Sequence, residues 1–168
     1  MERAVQLHPF PPLWAADARV LILGSFPSVK SRESRFFYGH PQNRFWKVLP
    51  ALFDEPQPRT TEEKAALALR HRIALWDVIA SCEIAGSSDA SITRVVPNDL
   101  RPILAGAEIR AILCNGGTAG RWYDRLLRAE LGREAKTLPS TSPANARWSL
   151  SRLTEAWSGA ILPYLERE

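Results

Sequence analysis

Four largely apolar stretches punctuate the chain, and each runs into a loop of small or polar residues. Residues 18–23 stop at Gly24, Ser25, Phe26, Pro27 and Ser28. Residues 73–78 precede a segment rich in Gly and Ser at Gly86, Ser87, Ser88 and Asp89. Residues 109–114 end in Asn115, Gly116, Gly117 and Thr118, and the shorter stretch 135–139 leads into Ser140, Thr141, Ser142, Pro143, Ala144 and Asn145. A short apolar run closed by Gly or Pro predicts a strand buried on both faces. Between these runs the spacing becomes helical. Phe45, Trp46, Val48, Leu49 and Leu52 recur at that period, and Thr60 is placed to cap a helix running through Leu69, with Glu62 and Glu63 in its first turn. Trp122, Leu126 and Leu127 are expected to face inward after the third strand. A last helix over about 149–164 is expected to bury Leu150, Leu153, Ala156, Trp157 and Ile161.

Strands that alternate with helices imply the crossover connections that parallel pairing needs. The expected fold is therefore α/β, a three-layer sandwich with a central four-stranded parallel sheet flanked by helices. In open parallel sheets ligands bind outside the carboxyl ends of the strands, and all four polar loops leave those ends. One pocket is expected there.

Composition narrows the reading. With 168 residues, 45% of them hydrophobic, the chain suffices for a single domain over 1–168 with a full core. Its 22 Lys and Arg against 18 Asp and Glu, a net charge of +4, suit a polyanionic partner, although many cytosolic proteins are mildly basic. Cys82 and Cys114 form no Cys-x-x-Cys pair, which argues against a disulfide framework and for a reducing compartment. Two cysteines are too few for an iron–sulfur cluster, and His8, His40 and His71 lack zinc-ligand spacing. No metal or cofactor is expected. The N-terminus has no signal-peptide run, and no apolar stretch reaches the roughly 18 residues of a membrane span. A cytoplasmic monomer with no membrane partner is expected.

Two segments carry candidate chemistry. The loop 24–28 brings bare backbone close to a ligand, yet it has neither the Gly-Lys-Ser/Thr of a phosphate loop nor a Gly-x-Gly-x-x-Gly fingerprint. Residues 36–46, Phe-Phe-Tyr-Gly-His-Pro-Gln-Asn-Arg-Phe-Trp, place aromatic rings beside amide and basic groups just before an apolar helix. Aromatic faces stack on bases; equally, Asn43 suits a helix N-cap.

Together, in this order, the two segments resemble the uracil-DNA glycosylase superfamily. The run His40, Pro41, Gln42, Asn43, Arg44, Phe45, Trp46, Lys47, Val48 is similar to one in the mismatch-specific uracil glycosylases. Ser142, Pro143, Ala144, Asn145, Ala146 and Arg147 resemble the superfamily's second Pro-containing motif. With 75–78 and 86–89 added, the hypoxanthine-DNA glycosylase branch is the nearest likeness. That resemblance implies a monofunctional enzyme that flips a deaminated base (hypoxanthine, uracil or xanthine) out of DNA and hydrolyses its N-glycosidic bond.

Two departures from the superfamily pattern shape the expected site. Phe26 stands where many relatives position the attacking water with Asp or Asn, and Ser142 stands where His or Asn often precedes the Pro. The resemblance then implies that Asn43 orients water through its side-chain carbonyl, and Ser142 is expected to donate to the departing base. Ser25, Phe26, Tyr38, Asp77 and Asn115 are the expected base-binding residues, Tyr38 as a stacking platform and Asp77 as an acceptor for a purine N–H. Lys30, Arg32 and Arg35 are expected to form a phosphate rim, with Ser140, Pro143, Ala144, Asn145 and Arg147 gripping the backbone. His40 is expected mainly to shape its loop. Three alternatives stay open: a mismatch-specific uracil or thymine glycosylase, a damaged-DNA binding module that has lost catalysis, and a small-molecule nucleoside hydrolase on the same sheet.

Overall fold

A computed structural model describes residues 4–166. The expectations for the N-terminus and for a domain over 1–168 extend to residues 1–3 and 167–168, which lie outside the described residues. In chain order the elements are β1 (Ala4–Leu7), β2 (Val20–Gly24), α1 (Val29–Ser34), α2 (Phe45–Leu52), α3 (Thr61–Arg70), β3 (Ile73–Asp77), β4 (Ile79–Ile84) and β5 (Thr93–Pro97). They continue with α4 (Arg101–Gly106), β6 (Ala111–Asn115), α5 (Gly117–Leu126), α6 (Arg128–Leu131), β7 (Lys136–Leu138) and α7 (Leu150–Leu165).

The frame is a four-stranded parallel sheet in the order β3-β2-β6-β7, flanked by helices as expected. β2 is central and every residue in it is buried, which is why its sequence reads as an unbroken apolar run. α7 packs on β2 and α2, and α5 packs on β6 and β7. Trp157 anchors α7: its ring is fully buried and its indole N–H donates to the Pro139 carbonyl at 2.9 Å. Gly120 lets α5 approach β7, since a Cβ there would meet Thr137 Oγ1 at 2.2 Å. The Thr60 cap forms as expected and is reciprocal: its side chain accepts from the Glu63 N–H while the Glu63 carboxylate accepts from the Thr60 N–H.

Two helix faces differ from expectation. Leu150, the first residue of α7, is exposed, and the buried stripe runs instead through Leu153, Trp157, Ala160, Ile161 and Leu165. On α5 the buried positions are Ala119, Gly120 and Tyr123, with Leu127 buried just beyond its end, whereas Trp122 and Leu126 are only partly covered.

A second sheet was not expected. β1, β4 and β5 form an antiparallel side sheet in the order β1-β4-β5. The chain passes from β3 straight into β4 through Val78 alone; the Val78 N–H bonds the Gly24 carbonyl and its own carbonyl accepts from Asn98, both at 2.8 Å. β4 buries Ile79, Cys82 and Ile84 and leaves Ala80, Ser81 and Glu83 half-exposed, the pattern of a sheet with one face in water. Among the described residues no helix is long and apolar enough to cross a membrane.

Candidate active site

The carboxyl ends of β2, β3, β6 and β7 open onto a cavity of about 320 Å³. The structure brings Ser25, Phe26, Tyr38, Asn43, Asp77 and Asn115 together around it, with Ser140, Ser142, Pro143 and Ala144 from the loop after β7. Asn145 lines an adjoining groove that runs to Trp148 along the start of α5. Lys30, Arg32, Arg35 and Arg147 line neither.

Gly24 and Asp77 face each other in the β2–β3 register and make the floor. The absence of a side chain at Gly24 is required, because a Cβ there would lie 2.4 Å from Asp77 Oδ1 and 3.3 Å from the Tyr38 hydroxyl. Tyr38 holds a left-handed φ of 53° and stacks on Phe45 with ring centroids 4.1 Å apart. Its buried hydroxyl makes no well-formed hydrogen bond. Burial, with the Asp77 charge adding and Asn115 opposing, pushes the phenol well above its ordinary pKa, so Tyr38 stays neutral. Phe26 is buried against the cavity with the Arg32 guanidinium 5.5 Å from its ring centroid.

Asn43 lies just ahead of α2, and its Oδ1 accepts from the Phe45 N–H at 2.9 Å and from the Thr141 hydroxyl at 2.8 Å. Both lone pairs of that carbonyl are occupied, so the expectation that it orients water is corrected: the free group of Asn43 is its amide donor. Thr141 is fully buried and was missed in the sequence because it sits between two other hydroxyl residues. It is braced in turn by Asn115, whose Nδ2 donates to the Thr141 Oγ1 at 2.9 Å and whose Oδ1 accepts from the Thr141 N–H at 3.0 Å. Asn115 therefore holds Thr141, and through it Asn43, while itself lining the cavity.

The loop after β7 is tied down by Arg44. The Arg44 N–H donates to the Thr141 carbonyl at 3.0 Å, and its guanidinium donates to the carbonyls of Asn145 at 3.0 Å, of Ser142 at 3.4 Å and of Trp148. Ser142 Oγ accepts from the Ala144 N–H at 3.2 Å, which leaves its own proton free to donate into the cavity. His40 Nδ1 accepts from the Gln42 N–H at 3.1 Å, in keeping with a loop-shaping role.

Of the basic residues expected to meet phosphate, Lys30, Arg35 and Arg147 are exposed and Arg32 is half-buried. Lys30 lies 3.8 Å from Glu33. Arg35 stands at the end of α1, and Arg147 lies beyond the cavity. Arg32 instead turns inward and donates to the carbonyls of Pro27 at 2.7 Å and Gly86 at 3.0 Å, a clasp between loops. Asp89, not singled out as a site residue, lines both openings and accepts from the Ser25 hydroxyl at 3.2 Å; burial raises its pKa above the ordinary carboxylate value. Burial pushes Cys82 up to about 11 and Cys114 up to about 12, so neither is poised as a thiolate. Among the described residues no cluster of three His, Cys, Asp or Glu side chains is placed to hold a metal ion.

Aromatic walls, amide and hydroxyl donors and a carboxylate floor on an open parallel sheet define a pocket for a flat, polar ring. The chain belongs to the uracil DNA glycosylase superfamily, whose family model matches residues 11–166. It is 38% identical over 148 residues to the hypoxanthine DNA glycosylase of Methanosarcina acetivorans, covering 87% of this chain and 92% of that protein. It is 35% identical over 154 residues to the hypoxanthine DNA glycosylase of Methanosarcina barkeri, covering 90% and 96%. A solution NMR structure from M. acetivorans, provisionally assigned as a uracil DNA glycosylase, superimposes with a TM-score of 0.80 at 36% identity, covering 98% of this chain and all of that one.

Proposed function

We propose that this protein is a monofunctional DNA glycosylase that extrudes a deaminated base, hypoxanthine foremost, and hydrolyses its N-glycosidic bond to leave an abasic site. Extrusion costs roughly a few kcal/mol, and least at a mismatched pair, which favours lesions at the outset. The observation that carries the proposal is the held Asn43. Its carbonyl is fixed by α2 and Thr141, its amide is free at the cavity, and no carboxylate stands at Phe26.

The chemistry follows from what a donor can do. As the bond from C1′ to the base nitrogen breaks, its electron pair goes to the base and positive charge builds on the sugar. Asn43 Nδ2–H and the Ser142 hydroxyl stabilise the departing anion. A water oxygen then bonds C1′, and the proton it gives up neutralises the purine anion. No strong base is needed when departure leads. The protein acts as a monomer on DNA containing deaminated or mismatched bases, in the nucleoid of the cytoplasm.

The test is release of free hypoxanthine from an inosine-containing duplex. Asn43→Ala is expected to lower the single-turnover rate by about a hundredfold or more while DNA binding persists. Unchanged turnover in that variant overturns the assignment. The naming of the NMR neighbour as a uracil DNA glycosylase favours a second reading, uracil excision. A panel of duplexes differing only in the damaged base separates the two.

A further inference from the structure

One residue at the end of the side sheet's first strand reaches Asp77 from behind the pocket. His8 directly follows β1, and its N–H bonds the Ala80 carbonyl at 2.8 Å, extending the pairing of β1 with β4. Its imidazole turns beneath the end of β3, where Nε2 lies 2.7 Å from Asp77 Oδ2 with both side chains almost wholly buried. Phe10, Trp76 and Phe26 grip the ring, at centroid distances of 4.5, 4.4 and 6.1 Å. The Phe10 N–H approaches Nδ1 at 3.5 Å, so Nδ1 accepts and the proton belongs on Nε2, directed at the carboxylate.

Asp77 is left with one free oxygen. Its backbone is fixed opposite Gly24, its carbonyl takes the Asn98 side-chain N–H at 2.8 Å, and Oδ2 is held by His8. Oδ1 stands over the bare Gly24 at the cavity floor. Resting on the glycosylase reading above, we infer that His8 is a positioning residue for base selection: by holding Oδ2 it presents Oδ1 as a fixed acceptor that selects bases carrying a ring N–H. Deamination makes that feature. In adenine N1 is an acceptor beside an amino group; in hypoxanthine N1 bears a proton beside a carbonyl. A fixed carboxylate oxygen gains a hydrogen bond from the second and meets a lone pair of the first. Guanine and thymine carry a ring N–H as well, so the fixed Oδ1 separates hypoxanthine from adenine, and uracil from cytosine, rather than lesions from every undamaged base.

The experiment compares excision of hypoxanthine with excision of unsubstituted purine, which lacks N1–H and the carbonyl, from the same duplex position by the full chain. His8→Ala is expected to lower hypoxanthine excision by about tenfold to a hundredfold and purine excision far less, so the ratio collapses. His8→Phe, which keeps a ring in the aromatic cage but lacks the donor, is expected to do the same. His8→Gln, whose amide N–H falls near the place of Nε2–H, is expected to restore most of the ratio. In an Asp77→Asn background, His8→Ala is expected to add no further loss. Equal falls on both substrates, or an unchanged ratio in His8→Ala and His8→Phe, overturn the role of His8. Failure of the unmodified protein to release any base overturns the glycosylase reading itself.

Discussion

Strands β3, β2 and β6 of the parallel sheet are sealed on both faces, whereas the side sheet keeps one face in water. β2 is buried at every position, while Val5, Leu7 and Val96 of the side sheet are 69%, 71% and 54% exposed. The sealed sheet holds the loops that carry Asn43, Thr141 and Ser142. The wetter sheet brings His8 onto the floor residue Asp77, and its β4–β5 connection adds Ser87 and Asp89 to the lining. Both sheets therefore meet at Asp77, and the contribution of an element to the core is a poor guide to its contribution to the site.

The largest effect tests the core side of that comparison. Trp157→Ala, beneath the parallel sheet, is expected to cost about 3–5 kcal/mol, read from the urea midpoint. Leu7→Ala on the outer side sheet is expected to cost no more than about 0.5 kcal/mol. Comparable losses from the two would erase the distinction.

Thr141→Val sharpens the site side. It keeps the side-chain shape but removes the hydroxyl between Asn115 and Asn43, so it is expected to cost about 1–3 kcal/mol of stability. It is also expected to slow base release at saturating DNA with little change in half-saturation. Loss confined to DNA affinity would show that the network does not position Asn43.

The smallest effect concerns Asp89, which reaches from the connection between β4 and β5 to Ser25 after β2. Its pKa is raised in the fold, so the folded protein holds that proton more tightly than the unfolded chain. The associated stability is present below the ordinary carboxylate range and is lost as pH rises through the raised value. Asp89→Asn removes that loss. It is expected to melt slightly above the unmodified protein at neutral pH, with the gap closing in acid; a gap independent of pH would refute the linkage.

The same contrast in burial explains what could be read from the residues alone. Runs such as Val20–Gly24 announce themselves because burial on both faces excludes polar residues. β4 does not, because Ser81 and Glu83 interrupt it and no turn residue separates it from β3. Asn43 was legible from its run, but the occupation of its carbonyl depends on Thr141, 98 positions away. His8 was beyond reach for a similar reason. A lone histidine after a short, exposed strand acquires meaning only when antiparallel pairing carries it beneath Asp77.

Arg44 has a consequence of another kind. Its guanidinium holds three carbonyls of the 142–148 segment. The conformational entropy of that segment is surrendered when the protein folds rather than when it meets a duplex. A segment ordered in advance meets a partner without that penalty.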